Sequence, residues 1–232
     1  MLKFIGCGSC FNVWLGNNSA FYLDTETKHL ILIDVGGTTY EQLVKKEILK
    51  DVEKITILIT HKHPDHIGGL GSLIFHCHYL LEGMKPTVIY PNEEEMRSYL
   101  QSIAVRDDEY RVYAPEKFLD FSIEAYQQKH VELIDAFGYL LVLNGKKIYY
   151  SGDTNDIPES IIEKLKSGEI DYMYQEVTRF CNTEHTYIEK LIQKIPMEYR
   201  GKVTCMHFDD ESLMQEVKEK GFNLPEVYEK AD

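Results

Sequence analysis

The chain has 232 residues, of which 44% are hydrophobic and 27% charged, so it can bury a substantial core and has an ordinary globular composition. Its formal net charge is −13 and it has no dense run of lysine or arginine, so long nucleic acids are disfavoured as partners. A small anionic substrate is not excluded, because a bound cation reverses the field at its own site.

The first half of the chain alternates between predicted strands and predicted helices. Short apolar runs predict strands at 2–5, 20–24, 30–34, 55–59 and 87–90. The pattern predicts helices at 39–50, 67–81 and 92–103. The run at 55–59 is rich in β-branched residues, which favours a buried strand. The run at 30–34 ends in an acid and precedes Gly36-Gly37, which predicts a tight turn.

The second half begins with a region, 111–150, whose pattern is mostly β. Strands are predicted there at 118–126, 138–143 and 147–150, and Asn144-Gly145 between two apolar runs is a strong hairpin signal. Beyond it we predict helices at 157–167, 185–194 and 210–220, and strands at 171–176 and 202–206. Hairpins occur beside strand–helix units with no repeat or linker, so we predict one α/β domain over residues 1–232.

One short segment carries an unusual density of metal-ligand side chains. The sequence between positions 61 and 66 is His-Lys-His-Pro-Asp-His, and it directly follows the predicted buried strand at 55–59. A loop at the end of a strand can direct alternate side chains into one cleft. Imidazole nitrogens and carboxylate oxygens are ligands that zinc prefers. The segment therefore predicts a metal site.

Three later residues also follow predicted strands, namely His130, Asp153 and His207. Asp153 stands in Ser-Gly-Asp-Thr after an apolar run, and His207 directly follows the predicted strand at 202–206. Each of them alone is more often a structural residue than a ligand. Together with the segment at 61–66, and in this order along the chain, they indicate a metal site.

This ordered set resembles the metallo-β-lactamase superfamily, over roughly residues 1–210. The resemblance implies a four-layer αββα sandwich with two zinc ions, although Mn²⁺ or Fe²⁺ can also occupy such a site. It implies that Asp153 bridges both metals and that Asp34 is a structural acid beside the metal loop. The other ligands that it implies are His61, His63 and His130 for one metal, and Asp65, His66 and His207 for the second.

The implied chemistry is hydrolysis by a hydroxide that bridges the two metals, so no protein nucleophile is needed. Asp65 completes the second metal site and is therefore counted among the catalytic residues as well as among the ligands. Loss of Asp65 or His66 is expected to abolish activity while leaving the fold intact.

Within the superfamily, three segments are similar to the RNase Z-like phosphodiesterase branch. They are 4–9 (Phe-Ile-Gly-Cys-Gly-Ser), 137–139 (Phe-Gly-Tyr) after His130, and 184–186 (Glu-His-Thr). The resemblance implies that His185 protonates the leaving oxygen and that Thr186 contacts the substrate. The structural alternative is that His185 is a polar residue at the start of the predicted helix at 185–194.

The interval between His130 and Asp153 is too short for the arm that grips tRNA in tertiary RNase Z enzymes. The chain instead resembles the phage-type anti-Pycsar enzymes, homodimers that hydrolyse cyclic mononucleotides and so disable a bacterial defence signal. This implies a small anionic nucleotide substrate, cyclic pyrimidine nucleotides included. The alternatives are an RNase Z-like nuclease, a metallo-hydrolase for esters or thioesters, and a binding module without catalysis.

The segment 92–117, with Tyr99, Tyr110 and Tyr113, is a candidate dimer contact or base-stacking lid, or an ordinary surface.

The cysteine count and the length of the apolar stretches predict the cellular location of the protein. The five cysteines, an odd number with no signal peptide, predict reduced thiols in a cytoplasmic protein, in the host's cytoplasm if a phage encodes it. No apolar stretch approaches the ~20 residues that span a bilayer, so no membrane partner is expected. Cys7 and Cys10 form a CxxC motif without a second pair, which favours a turn over a zinc or redox site.

Overall fold

The computed structural model describes residues 1–230, whose contacts divide the chain into two units. The first unit contains Met1–Gly6, Gly16–Phe118 and the segment from Glu226 onward. The second contains Cys7–Leu15 and Leu119–Pro225. The single domain over 1–232 stays a prediction, and its last two residues lie outside the described part of the chain.

The first unit is built on a six-stranded sheet in which the strands follow one another in chain order. The first three strands pair antiparallel and the remaining pairs are parallel. The strands are β1 (Lys3–Gly6), β2 (Ser19–Asp24), β3 (His29–Ile33), β4 (Lys54–Leu58), β5 (Thr87–Ile89) and β6 (Arg111–Tyr113). The helices are α1 (Thr39–Lys45), α2 (Pro64–Ile67), α3 (Leu70–Leu80), α4 (Glu93–Ser102) and a 3₁₀ turn at Pro115–Lys117.

The second unit repeats this plan with a five-stranded sheet in the order β11-β10-β9-β8-β7. Its first three strands pair antiparallel, and its last two pairs are parallel. The strands are β7 (Ile123–Gln128), β8 (Ala136–Leu143), β9 (Lys146–Tyr150), β10 (Tyr172–Glu176) and β11 (Val203–Met206). The helices are α5 (Glu159–Ser167), α6 (Ile188–Lys194), α7 (Met197–Arg200) and α8 (Glu211–Glu219).

The β8–β9 hairpin has the turn that its sequence predicts. Asn144 and Gly145 both adopt left-handed backbone conformations, with φ of 47° and 70°, and Leu143 pairs with Lys146 across the turn. Two consecutive left-handed residues match the twist of the flanking strands, which is why Asn-Gly is favoured there. Every strand that precedes a predicted ligand in this unit, β7, β9 and β11, therefore runs in the same direction.

Several predicted boundaries differ from the structure for local reasons. The predicted helix at 39–50 ends at Lys45, because Glu47 has φ of 53° and the N–H of Ile48 donates to the carbonyl of Leu43. The predicted helix at 67–81 is preceded by a separate turn, α2. The predicted helix at 185–194 begins only at Ile188, and the strand predicted at 118–126 begins at Ile123. Helix α7 was not predicted.

The core of the first unit lies on strands β3 and β4. All five residues of β3 are buried, and four of the five residues of β4. Continuous apolar runs of this kind are typical of strands that are covered on both faces. Among residues 1–230, no helix is both long enough and apolar enough to cross a membrane.

Residues 223–228, which we call the covering segment, pair with an edge strand in each unit. In the second unit, Asn223 exchanges main-chain hydrogen bonds with Val203 and Cys205 of β11, both of 2.9 Å. In the first unit, the Phe4 N–H donates to Glu226 and the Tyr228 N–H donates to Phe4, both at 2.8 Å. Edge strands present unpaired main-chain groups, so this pairing protects both sheets from adding a foreign strand.

Gly168 allows a test of the backbone at the end of α5, where its φ is 81°. A Cβ added at Gly168 or at Gly201 would meet no atom within 4 Å, and Gly201 has φ of −63°. We expect Gly168→Ala to lower the free energy of unfolding in urea by about 1–2 kcal/mol, because a left-handed conformation is costly for alanine. Gly201→Ala is the matched control and should cause no loss. Equal losses in both variants would contradict the left-handed helix end.

Candidate metal centre

The predicted ligand loop follows β4 in the first unit. The chain leaves the strand through Thr60 and His61, both with no exposed surface, and helix α2 begins at Pro64. Proline suits the first position of a helix because its missing N–H has no partner there. Asp65 and His66 therefore lie on the first turn of α2 and are both buried, while His63 precedes the helix in an extended conformation.

Asp34 organises this loop from the end of β3. Its carboxylate is fully buried and accepts hydrogen bonds from the Thr60 N–H (2.7 Å), the Thr60 hydroxyl (2.8 Å) and the His66 Nδ1 (2.8 Å). Burial raises the pKa of the Asp34 carboxyl, while the contacts with His66 and Thr60 act in the opposite direction. A carboxylate can only accept, so the proton of His66 is on Nδ1 and its lone pair is on Nε2.

Thr60 also fixes the tautomer of His61. The Thr60 hydroxyl donates its only proton to Asp34, so it can only accept from the His61 Nδ1, which lies 3.1 Å away. The lone pair of His61 is therefore also on Nε2. One buried carboxylate thus sets the tautomer of two histidines, as metal-binding histidines require from their surroundings.

The ligand atoms of this loop have spacings that suit a metal. The His61 Nε2 and His63 Nδ1 atoms are 3.0 Å apart, and the His66 Nε2 and Asp65 Oδ2 atoms are 3.3 Å apart. Two ligands that are each about 2.1 Å from a tetrahedral zinc ion lie about 3.4 Å from one another. The nitrogen and oxygen donors, their fixed tautomers and these spacings all fit zinc.

Gly36 lets the loop after β3 lie directly against the ligand loop. The N–H of Val35 donates to the carbonyl of His66 (2.7 Å), and the N–H of Gly37 donates to that of Pro64 (3.1 Å). A Cβ at Gly36 would be 1.9 Å from the main-chain oxygen of Asp65, so no other residue fits there. The two loops therefore form one packed unit around Asp34.

In the second unit, the remaining predicted ligands follow the carboxyl ends of strands that run in the same direction. His130, Asp153 and His207 follow β7, β9 and β11, and all three side chains are buried. The His130 Nδ1 donates to the main-chain oxygen of Glu184 at 2.8 Å, which leaves its lone pair on Nε2. The Asp153 Oδ2 lies 3.9 Å from the His130 Nε2 and 3.5 Å from the His207 Nε2.

Two of these site residues have strained backbones. Asp34 has φ of 64° and His207 has φ of 61°, in the left-handed region that side chains other than glycine rarely adopt. Such conformations persist only where the surrounding contacts impose them, and they are concentrated at functional sites. In each case the left-handed conformation sets the direction of the side chain directly after a strand ends.

His185 lies between two of the predicted ligands in the second unit. Its ring is stacked on that of His207, with centroids 5.3 Å apart, and is edge-on to that of His130 at 5.0 Å. Its Nδ1 donates to the Glu176 Oε2 at 3.2 Å and lies 3.8 Å from the Asp153 Oδ2. Burial lowers the pKa of His185, but the carboxylates of Glu176 and Asp153 outweigh it and raise that pKa to about 9.

Glu176 is a site residue that the sequence analysis missed. It ends β10 with no exposed surface, and its Oε1 accepts from the N–H groups of Thr154 (2.9 Å) and Thr186 (3.0 Å). Its Oε2 accepts from His185, so this one side chain holds His185 beside the loop that carries Asp153. The sequence could have indicated this role, because Glu176 is the last residue of a predicted strand and acids are rarely buried without partners.

Thr186, for which substrate contact stays a prediction, is enclosed beside His185. The side chain has no exposed surface, and its hydroxyl donates to the Thr154 carbonyl (2.7 Å) and accepts from the Gln175 amide (3.1 Å). A hydroxyl that is enclosed and engaged in this way holds the loop beside His185 in place. His185 itself lies before helix α6 rather than at its first position.

The sequence also singled out the CxxC motif of Cys7 and Cys10 and the tyrosine Tyr110. Cys7 is buried and Cys10 is exposed, and all five cysteines of the chain are free thiols. Tyr110 is buried and donates to Asp107, so it cannot stack on a substrate base.

Comparison with known proteins agrees with the resemblance seen in the sequence. The family model described as the metallo-beta-lactamase superfamily matches residues 13–212. The chain is 26% identical to the anti-Pycsar protein Apyc1 of Bacillus phage 010DV004 over 90% of this chain and 89% of that protein. Among solved structures, YhfI of Bacillus subtilis has a TM-score of 0.75 at 13% identity, covering 100% and 97% of the two chains. Human tRNase Z, short form, has a TM-score of 0.71 at 18% identity, covering 98% and 97%.

Asp34→Asn tests whether the buried carboxylate prepares the metal ligands. An amide keeps the shape but cannot accept from three donors at once, so the tautomers of His61 and His66 are no longer fixed. We expect zinc affinity, measured by competition with a chromogenic chelator, to fall about 10- to 100-fold. Asp24→Asn is the control, because Asp24 is at the partly exposed end of β2 and its carboxylate accepts from the N–H groups of Glu26 and Thr27 in the adjoining turn. Wild-type affinity in a folded Asp34→Asn protein would contradict this role.

Proposed function

Because the chain belongs to the metallo-β-lactamase superfamily and has its fold, we propose that it is a dinuclear zinc phosphodiesterase that hydrolyses 3′,5′-cyclic mononucleotides to nucleoside monophosphates. The coarser statement, that it is a metal-dependent hydrolase, follows from the family and from its clusters of histidine and aspartate. The observation that carries the proposal is that His61 and His66 in the first unit and His130 in the second have tautomers fixed for metal binding, while in the second unit a buried glutamate engages His185.

The proposed ligands are those that the family resemblance implies. His61, His63 and His130 would hold one metal, Asp65, His66 and His207 would hold the other, and Asp153 would belong to both ligand sets. The tautomers of His61, His66 and His130 support this assignment, because each has its lone pair on Nε2. Divalent metals held there supply a water of lowered pKa as the nucleophile and neutralise charge on the phosphate.

His185 supplies the proton that the leaving oxygen needs. When water attacks phosphorus, the bond from phosphorus to one ribose oxygen breaks, and that oxygen departs as a poor leaving group unless it is protonated. A histidine whose Nδ1 is engaged by a carboxylate suits this task, because the carboxylate of Glu176 orients the His185 ring and favours its protonated form. Glu176 acts through His185 and is therefore a positioning residue.

A small nucleotide is the substrate class that the rest of the chain favours. Residues 136–150 between His130 and Asp153 are taken up by the β8–β9 hairpin, so this interval holds no long arm for gripping tRNA. The net charge of −13 opposes a long polyanion. The relative named anti-Pycsar protein spans 90% of the chain, which supports cyclic mononucleotides, cyclic pyrimidine nucleotides included.

The cellular setting is part of the same proposal. An enzyme that removes cyclic mononucleotides would switch off a signal that depends on them, including an antiphage defence signal. We place this activity in the cytoplasm, where such nucleotides are made, and assign the enzyme to homodimers as in the anti-Pycsar enzymes it resembles.

A parallel assay tests the proposal directly. Zinc-loaded protein is incubated with 3′,5′-cyclic AMP, GMP, CMP and UMP and with a precursor tRNA, and the metal content per chain is measured. We expect the cyclic nucleotides to be opened, the tRNA to remain intact and two metals to be bound per chain. Asp65→Asn and His66→Ala should bind less metal and lose activity while keeping the wild-type circular dichroism spectrum.

Other outcomes of that assay would point elsewhere. Cleaved tRNA with intact cyclic nucleotides would identify an RNase Z-like nuclease. Inactivity on both substrates with two metals bound would leave the metal centre in place and favour esters or thioesters. An active His66→Ala variant with one metal per chain would rule out the dinuclear assignment.

His185→Ala tests the proton donor by its dependence on the leaving group. Turnover of a cyclic nucleotide, whose leaving alkoxide needs a proton, should fall about 10²- to 10⁴-fold. Turnover of a p-nitrophenyl phosphodiester, whose leaving group needs none, should fall far less. His78→Ala is the matched control, since the His78 and His185 side chains are 28% and 25% exposed. Equal losses on both substrates would show that His185 has a structural role only.

A further inference from the structure

The second unit exposes a group of large apolar side chains on two loops. Phe11 is 94% exposed, Trp14 90%, Val13 64% and Phe180 60%. Trp14 is the single tryptophan of the chain. Large aromatic side chains usually supply core or interface area, so near-complete exposure of both Phe11 and Trp14 calls for a function.

The loop that carries Phe11 and Trp14 is held in one conformation by its own hydrogen bonds. The Cys7 N–H donates to the Leu15 carbonyl (3.1 Å), which closes the loop at its base. Asn12 is buried inside it and accepts from the Leu15 N–H at 3.4 Å, while its own N–H donates to the Ser9 carbonyl. A closed loop around a buried polar residue presents its aromatic side chains without ordering them again when a ligand binds.

This loop is attached to the residue that follows the ligand His207. The Ser9 N–H and the Asn12 side-chain amide both donate to the Phe208 carbonyl, at 3.0 and 3.3 Å, and the Phe208 N–H donates to Cys7 at 2.8 Å. Trp14 is two residues from Asn12, so its Cα lies within ~8 Å of that of Asn12. Phe11 and Trp14 therefore stand on a loop whose backbone is bonded to the residue that follows one of the proposed metal ligands.

Phe180 is fixed to the same segment from another loop. The hydroxyl of Thr178 and the N–H of Arg179 both donate to the Asp209 carboxylate at 2.8 Å. The Phe180 N–H donates in turn to the Thr178 hydroxyl at 3.2 Å. Residues 207–209 thus hold both aromatic loops, and the continuation of the second loop carries His185.

We propose that Phe11 and Trp14 form a stacking platform for the base of the nucleotide whose phosphate is bound at the metal centre. This inference rests on the proposed function and extends it to the part of the substrate that the metals do not contact. A base is a flat, uncharged ring system, and every base can stack on an aromatic side chain whatever its hydrogen-bonding groups. In a chain of net charge −13, stacking supplies affinity that the surrounding charge does not.

Trp14 gives a direct readout that does not depend on turnover. The zinc-loaded wild-type protein is titrated with phosphorothioate analogues of cyclic AMP and cyclic CMP, which resist hydrolysis, while tryptophan fluorescence is recorded. We expect saturable quenching by both nucleotides and none by ribose 5-phosphate, which has no base. In a Phe11→Ala background, the concentration for half-maximal quenching should rise several-fold because one stacking partner is lost.

Kinetics then separate stacking from catalysis. Trp14→Ala should raise KM for the cyclic nucleotides roughly tenfold or more while changing kcat far less, and Trp14→Phe should restore most of the loss. Tyr79→Ala is the matched control, because Tyr79 is an exposed aromatic residue (68%) on α3 of the first unit. It should leave both constants unchanged.

The outcomes that would overturn the inference differ from those that would overturn the proposed function. Hydrolysis of cyclic nucleotides with no quenching of Trp14 and an unchanged KM in Trp14→Ala removes the platform and leaves the phosphodiesterase. Base-dependent quenching without hydrolysis supports the platform and removes the proposed reaction. A Trp14→Ala protein whose sedimentation shows a smaller assembly than wild type, with no base-dependent quenching in the parent, identifies the patch as a subunit interface and overturns the inference.

Discussion

A carboxylate without access to water must be matched by donors, and the pairing of Asp34 with Thr60 and His66 meets that requirement. The pairing has two consequences for the site. It fixes the left-handed turn at the end of β3 against the ligand loop, with Gly36 as the only residue that fits between them. It also determines which nitrogen of two histidines can bind a metal. Backbone shape and ligand chemistry in the first unit thus depend on one buried charge.

The second unit reaches a similar result with a different acid. His130, Asp153 and His207 follow strands that run in the same direction. Their side chains therefore lie at one edge of the sheet, although they are far apart in the chain. Glu176 takes the place of Asp34 there as the fully buried acceptor, and it joins the loop of Asp153 to the loop of His185. In both units a buried carboxylate orients histidines, and in neither is that carboxylate among the proposed ligands. Metal sites commonly depend on such outer partners as much as on the ligands themselves.

Much of this could be predicted from sequence, and the failures have physical causes. The cluster at 61–66 was predictable because its residues are contiguous, whereas His130, Asp153 and His207 became interpretable only through their order and the family resemblance. Nearly every strand was placed correctly, because apolar runs and Asn144-Gly145 are local signals. Helix ends were less predictable, since Glu47 ends α1 through a backbone conformation that its side chain does not announce. The role of Glu176 was not predicted, because it depends on burial and on partners distant in sequence. The contrast in burial between Tyr110 and Trp14 depends on tertiary packing in the same way.

The covering segment has a consequence for how the chain is made. Residue 4 lies near the beginning of the chain, yet its main-chain partners are at 226 and 228, so β1 emerges from the ribosome long before the residues that pair with its edge. Throughout that interval β1 can pair with β2, but the N–H and carbonyl groups on its other edge remain unpaired. Contacts this distant in sequence slow folding, because a long loop must close before they form. A chain whose first sheet forms before residues 226–228 are available has that sheet open at the edge of β1, where unpaired main-chain groups can bind another strand.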